Sequence, residues 1–511
     1  MKRFFILLFL LSSADLFSQP GTLDQSFGQL GVSLSPFITY YSYGKALAVQ
    51  PDGKIVVAGY LDMNGLGDFR AFVTRYDSAG NFDPSFTNFI TAAGGTTEYI
   101  RAMALQNDGK IVVAGHAGGT NSDFLLMRLT SSGAYDTAFG NSGIVITSFA
   151  ANSTDETNAI AIQPDGKIVI AGWTSSNIKD FALLKFNTDG SIDSTFGVNG
   201  KVSTDINFTL EDARGIRLQP DGKILISGFT SGPVSAQDVA VLRYNANGSL
   251  DPTFGTNGIA VNAVNADDDA ALSMVLQPDG KILLAGYVYT NFTYSDNLLM
   301  RLDSTGALDL SFNGNGIIIS NPTNTDRNST GVLLQSDGKI VITGRAFNSF
   351  NSDFSLTRFN SNGTIDPTFG NNGYAYSAIA LEDDLILANA IQPDGKIVVT
   401  GTFTDSGLEN FAVARYTNDS SLATTIKANY FQNDLLIYPQ PASDYIKIRM
   451  SDNADYSLIA HIYSVTSSLH TSIITDKEIS IKIADLTPGV YLIRIADASN
   501  KLVAAKKFVV E

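Results

Sequence analysis

The chain has 511 residues, with 50 acidic against 34 basic side chains, a net charge of −16, no cysteine, three histidines and one tryptophan. That balance excludes the basic face which nucleic acid or an anionic membrane requires, and zero cysteine excludes disulfides, thiolate zinc sites, iron–sulfur clusters and cysteine nucleophiles. Only 16% of residues are charged while 45 are glycine, a profile suited to a packed β protein and too apolar for bulk disorder.

Lys2 and Arg3 precede an apolar run from Phe4 to Leu11, and Ser12 to Gln19 is small and polar. This order predicts a secretory signal peptide over residues 1–18, leaving Gln19 first. A membrane anchor needs about 20 apolar residues, so no transmembrane anchor is expected. Without a cysteine the lipoprotein route is closed as well.

Residues 19–417 are one unit written seven times. Asp-Gly-Lys begins at Asp52, Asp108, Asp165, Asp221, Asp279, Asp337 and Asp394, at intervals of 56, 57, 56, 58, 58 and 57 residues. A period of this length signals a propeller or a solenoid. In the third copy Ile144–Ser148 and Ala159–Gln163 alternate, Pro164-Asp165-Gly166 is turn chemistry, Lys167–Ala171 is β-branched, Gly172 ends that strand and Phe181–Phe186 forms a fourth. No copy holds a helical period. Each copy therefore reads as four short antiparallel strands, one propeller blade.

A second motif, Leu-Asp-x-x-Phe-Gly, follows each fourth strand. It stands first at Leu23-Asp24…Phe27-Gly28, recurs around Asp136, Asp193, Asp251 and Asp366, and is degraded at Asp83 and Asp309. One copy precedes the first blade and none follows Tyr416, so the N-terminal piece can fill the place the C-terminal end leaves open. Closure removes exposed edge strands, which makes a seven-bladed ring the expected architecture and an open solenoid the alternative. The Q-P-D-G-K-I-V-V-A-G core, the D-F-x-x-x-R-Y strand and L-D-x-x-F-G resemble delta-60 repeats, propeller-type modules of bacterial secreted proteins. The resemblance covers about residues 21–417, with Gln106-Asn107 and Gln335-Ser336 departing from Gln-Pro. It implies fold and an extracellular setting, and brings no catalytic residues.

After a polar linker at 418–433, residues 434–511 carry strand-like runs at Leu435–Tyr438, Tyr445–Met450, Leu458–Val465, Glu478–Ile483, Val490–Ala496 and Leu502–Val510. They predict a small C-terminal β-sandwich. Tyr438-Pro439-Gln440-Pro441-Ala442-Ser443-Asp444, then Gly489-Val490-Tyr491, then Lys506-Lys507-Phe508-Val509-Val510 resemble the type A sorting domain read by the type IX secretion system of Bacteroidetes. Gln440 stands where the family usually has asparagine, and the glycine usual after Ile462-Tyr463 is missing. The resemblance implies the type IX machinery as partner, with Tyr438, Pro439, Pro441, Asp444, Gly489 and Tyr491 as sorting-motif residues. The cargo is then released or attached to surface polysaccharide.

Seven turn lysines (Lys54 to Lys396) and seven fourth-strand bases (Arg75, Arg128, Lys185, Arg243, Arg301, Arg358, Arg415) take 14 of the 34 basic residues. Identical demands in every blade point to structure, with the motif aspartates such as Asp24 and Asp193 as partners. Ten residues before each Asp-Gly-Lys stand Ser42, Glu98, Asp155, Glu211, Asp269, Arg327 and Asp384. The loop after the third strand ends in Asp68, Asp123, Asp180, Asp238, Asp296, Asp353 or Asn410. Glu98, Asp155, Glu211, Asp269 and Asp384 are the candidate rim for a cation, calcium above all, or a polar ligand. A solvated or structural reading stands beside it. The residue after each blade glycine varies; Trp173, Tyr60, Phe229 and Tyr287 are candidates to stack on a sugar, or else half-buried strand ends.

A serine triad would have to recruit His116, since His461 and His470 lie in the tail. Only a two-carboxylate glycosidase stays chemically open, and near-equivalent acids give no hint of one raised pKa. The expected protein is a secreted or cell-surface monomeric propeller, non-catalytic, binding a polysaccharide or protein. The alternatives are a surface glycoside hydrolase or lyase, and a purely structural surface component.

Overall fold

The computed structural model describes residues 19–418, apart from 38–39, 88, 91–96, 119–120, 207, 232–235, 291–293 and 323–324, and in the tail the strands given below with residues 483 and 486. The predicted signal peptide and all of the linker except Asn418 lie outside the described residues. The chain separates into two compact units, Met1–Leu422 and Ala423–Glu511.

The first unit is a ring of seven four-stranded antiparallel sheets. The third blade shows the build. An inner strand, Thr154–Ile162, is followed by Ile168–Ser175, Lys179–Phe186 and the outer strand Lys201–Thr204. The inner strands of successive blades pack on one another, and that of the seventh, Asp384–Ile391, packs on that of the first, Tyr41–Val49. Ile144–Thr147, which the sequence puts at the head of the third copy, pairs instead with Ser122–Leu129 as the outer strand of the second blade. Sequence unit and blade are thus out of phase by one strand. The cause is the Leu-Asp-x-x-Phe-Gly link, which folds back on the strand before it: Asp136 N–H donates to Arg128 O at 2.9 Å, and Arg128 N–H to Gly143 O at 2.9 Å.

The same phase closes the ring. Val32–Leu34 pairs with Leu408–Tyr416, with Val32 opposite Ala414, and becomes the outer strand of the seventh blade. Apolar cores lie between neighbouring blades. Across the closure, Phe27, Leu47, Val57 and Phe72 share one core with Val398, Phe411 and Val413, and Phe72 stacks on Phe411 at 5.0 Å.

Every inner strand carries a β-bulge at one place, between Thr157 and Ala159 in the third blade and at the matching position in the other six. A bulge sets two residues against one and re-aims a side chain. The residue opposite is the blade glycine. A Cβ on Gly172 would lie 1.8 Å from Glu156 O, and the other six glycines meet the same obstacle. Gly172 therefore does not end its strand, which runs on to Ser175; it gives the inner-strand carbonyl room.

Among its described residues the tail has seven strands in two antiparallel sheets. Leu435–Tyr438, Tyr445–Met450 and Glu478–Lys482 form one; Ser468–Ile474, Leu458–Tyr463, Gly489–Ala496 and Leu502–Val510 form the other. Ser468–Ile474 is the strand the sequence reading lacks. Ile446 and Ile481 of the first sheet and Ile462 and Val510 of the second are buried.

Candidate functional site

The repeated charges come first, because they set which residues are left for function. At each Asp-Gly-Lys turn the aspartate caps the backbone, as where Asp165 Oδ1 accepts the Lys167 N–H at 3.1 Å, and Gly166 takes φ +83. The lysine ammonium then reaches the motif aspartate of its own blade: Lys167 Nζ lies 2.8 Å from Asp193 Oδ2. The third-strand base meets the same oxygen, as Arg243 Nε does on Asp251 Oδ2 at 2.8 Å. It also lies over the motif phenylalanine, 4.6 Å from the Phe254 centroid, and donates from Nη1 to Ser304 O of the next blade at 2.6 Å. All seven aspartates (Asp24, Asp83, Asp136, Asp193, Asp251, Asp309, Asp366) take a lysine and a third-strand base in this way. The 14 repeat-locked bases are inter-strand and inter-blade ties.

The candidate acids are not an exposed rim. Glu98, Asp155, Glu211, Asp269 and Asp384 are fully buried at the first or second residue of their inner strands. The physical reason is local: at Asp155, Glu211, Asp269 and Asp384 the loop arriving from the previous blade closes over the carboxylate. Asp155 Oδ2 accepts from Phe149 N–H at 2.7 Å and Ser153 Oγ at 2.9 Å, while Oδ1 accepts from Thr174 Oγ1 at 2.6 Å. Asp269 Oδ2 accepts from Val264 N–H and Asp384 Oδ2 from Ile379 N–H, both at 2.7 Å. At three blade junctions acids of the two sets meet as pairs. Asp238 acts on Asp269 and Asp353 on Asp384, and Asp180 meets Glu211. The first blade carries the neutral version, Ser42 Oγ to Asn410 Oδ1 at 3.4 Å.

Burial raises three of these carboxyls, a difference the near-identical repeats conceal. Asp384 goes to about 7 despite the N–H groups of Ile379 and Ala380. Glu211 goes to about 7 against the hydroxyls of Thr209 and Thr230, and Asp269 to about 6. A raised folded pKa means proton uptake on folding, so the propeller is expected to gain stability as pH falls from about 8 to about 5. Asp384→Asn, which cannot ionise, is expected to lose part of that gain. Equal pH slopes for wild type and variant in urea unfolding would refute it.

The four stacking candidates lie at one position of the first, third, fourth and fifth blades, near the loop end of the second strand. Trp173 is 5% exposed, and Lys179 Nζ covers its ring at 3.8 Å. Phe229 is also buried. The Tyr287 hydroxyl donates to Gln237 Oε1 at 3.0 Å. Tyr60 stacks on Tyr43 at 4.7 Å and meets Tyr99 edge-on at 4.8 Å, and Tyr99 in turn stacks on His116 at 4.6 Å. Burial and then Arg101 lower the His116 pKa to about 3, so this imidazole is neutral at ordinary pH. In the tail, Tyr438, Gly489 and Tyr491 lie in strands; Pro439, Pro441 and Asp444 lie outside the described residues.

Two features escaped the sequence reading. The bulge residues are Lys45, Arg101, Asn158, Arg214, Leu272, Thr330 and Leu387, seven before each Asp-Gly-Lys. They differ from blade to blade while the residue after them is always Ala, Gly or Ser, and that was the available signal. Burial, then Arg101, lowers the Lys45 ammonium to about 8. Arg101 Nη2 lies 3.6 Å from Glu156 Oε2, and Arg214 Nη2 lies 2.7 Å from Asp212 Oδ2. The second feature is the loop face, built from the loops between second and third strands and those between blades. It exposes Leu66 (88%), Phe208 (82%), Phe350 (93%) and Leu381 (95%).

Seven stretches, residues 50–86, 106–139, 163–196, 219–254, 277–312, 335–369 and 392–425, match the family described as a domain of unknown function (DUF5122) beta-propeller. Residues 436–511 match the secretion system C-terminal sorting domain. No curated protein matches the chain. Among solved structures it is similar to PorZ, an essential bacterial surface component of the type-IX secretion system of Porphyromonas gingivalis. Identity there is 14% over 92% of this chain, which spans 59% of that one, with a TM-score of 0.41. It is also similar to a PL25 ulvan lyase bound to its saccharide, at 13% identity over 74% of this chain and 95% of that one, TM-score 0.45. A third is the beta-propeller domain of the Trilobed protease from Pyrococcus furiosus, at 12% identity over 76% and 99%, TM-score 0.38.

Proposed function

This chain belongs to the DUF5122 beta-propeller family and carries a secretion-system sorting domain, and we propose that its propeller is a non-catalytic module binding a polysaccharide or a protein. The sorting domain marks export through the type IX system, to the cell surface or the medium. Among the described residues no helix is long and apolar enough to cross a membrane.

One observation carries the reading. The turn face of the ring is tied down in every blade by an aspartate, a turn lysine and a third-strand base, whereas the loop face varies and displays Leu66, Phe208, Phe350 and Leu381 almost wholly exposed. Large apolar side chains held out on loops of a rigid scaffold mark binding surfaces. Phe350 and Leu381 belong to neighbouring loops, which Asn351 joins by donating from Nδ2 to Glu382 O at 2.7 Å.

The test is a glycan array together with capture from cell-surface extracts, using the secreted chain and a Phe350→Ser/Leu381→Ser variant. Saturable binding without turnover, weakened at least about tenfold in the variant, is expected. Turnover of a glycan abolished by a single acid-to-amide change would replace the proposal with a hydrolase or lyase. Neither binding nor turnover would leave a structural surface component.

A further inference from the structure

At the junction between the third and fourth blades an acid stands at the first loop residue, where five other junctions carry none. Where the chain leaves an outer strand for the next blade, the first residue is Ser35, Ser148, Ala263, Asn321 or Ala378 at five junctions, but Asp205 here. Asp205 adds a third acid to the Asp180–Glu211 pair. One carboxylate oxygen from each of Asp180, Asp205 and Glu211 lies within 4.8 Å of the other two. That spread is no wider than two calcium–oxygen distances of about 2.4 Å placed end to end.

Glu211 supplies a second, independent observation. It is fully buried, and its Oε1 accepts from the hydroxyls of Thr209 and Thr230, the latter at 3.1 Å, but its Oε2 has no hydrogen-bond partner. A buried carboxylate oxygen left unbonded is costly, since desolvation is not returned by any contact. Asp205 adds to that cost, because its like charge acts on both Asp180 and Glu211. At the other end of the cluster Asp205 is exposed and Asp180 half-buried, which leaves a path from solvent to the buried oxygen.

We propose that Asp180, Asp205 and Glu211 form a calcium site which ties the third blade to the fourth. Three hard oxygen ligands in a loop-and-strand setting suit a large, geometrically tolerant divalent cation, with water completing its six to eight positions. The ion would neutralise the three carboxylates and give the free Glu211 oxygen its partner. The site belongs to this one junction and not to a rim around the ring, because among the described residues only here do three acids bring an oxygen each within 4.8 Å of one another. It stands independently of what the loop face binds.

The test is calcium titration of the full secreted chain after chelator treatment, by calorimetry and by thermal unfolding. One ion per chain is expected at this site, with a dissociation constant of about 10⁻⁴–10⁻³ M, as in extracellular modules. A rise in unfolding temperature is expected with it. Asp205→Ala, an exposed substitution that spares the blade, is expected to weaken this ion at least about tenfold and to abolish the temperature rise. Asp238→Asn, at the next junction, where no three acids converge as they do here, is expected to change neither. No heat beyond dilution up to millimolar calcium, binding that survives Asp205→Ala, or equal loss in Asp238→Asn would each overturn the proposal.

Discussion

Gly172→Ala is expected to cost the propeller about 3 kcal/mol, the range of a steric insertion that the backbone can relieve only by moving. The added Cβ would sit 1.8 Å from Glu156 O, 2.9 Å from its carbonyl carbon and 3.0 Å from Thr157 Cα, all backbone atoms of the bulge. Side-chain rotation offers no escape, so the inner strand must separate from the second strand or lose its bulge. The turn glycine one step earlier is the internal control. Gly166 has φ +83 and only the Thr188 Cγ2 methyl within reach, at 3.1 Å, so Gly166→Ala is expected to cost about 1 kcal/mol through its backbone conformation. Chemical unfolding of the two variants measures both. If Gly172→Ala costs no more than Gly166→Ala, the bulge does not set the need for glycine.

Asp24→Ala is expected to destabilise the ring by about 3–5 kcal/mol, the cost of leaving buried cations without their counter-charge. Asp24 Oδ2 holds Arg415 Nε at 2.9 Å and Lys396 Nζ at 2.8 Å, and its Oδ1 accepts from Ser26 N–H and Oγ at 3.0 and 2.7 Å. This is the same tie as in the other six blades, but here it joins the N-terminal segment to the last blade. Opening the seam is therefore expected to release Val32–Leu34 and expose residues 19–35 to protease. A variant as resistant there as wild type would refute this. The carboxyl also predicts an acid signature. Burial by itself would raise it, but Lys396, Ser26 and Arg415 outweigh that and hold it well below the ordinary range. The Lys167 bond does the same for Asp193, to about 2. Such groups stabilise the fold above the unfolded carboxyl pKa of about 4, and that stability is lost as pH falls through the folded value. With the buried acids favouring protonation near neutrality, the propeller is expected to be most stable between about pH 4 and 6, and Asp24→Ala to flatten the acid limb.

Much of this was legible in residues alone because it is local and repeated. The Asp-Gly-Lys turn, the Leu-Asp-x-x-Phe-Gly link and the displaced first copy at Asp24 gave blade number and ring closure. Pairing of the 14 repeated bases with the motif aspartates, such as Asp24 and Asp193, was equally readable, since a charge demanded in every blade must have a partner demanded in every blade. The candidate site was less legible. Acids ten residues before each turn look solvent-facing in a loop, and the structure buries them. The aromatic after each blade glycine looks available, yet Trp173 lies beneath Lys179. Ser468–Ile474 in the tail escaped notice because the apolar side of its alternation, Leu469 and Ile473, is interrupted by Thr471.

The repeat count, the turn chemistry, the closure of the ring and the sorting tail follow from the residues alone, because each rests on contacts within one period or on a recognisable motif. Which strand belongs to which sheet, why glycine faces the bulge and which acids meet emerge only in the folded ring. Those depend on packing one blade against the next. That packing brings Asp180 and Asp205 of the third blade to Glu211 of the fourth, and the repeat period carries no record of the juxtaposition.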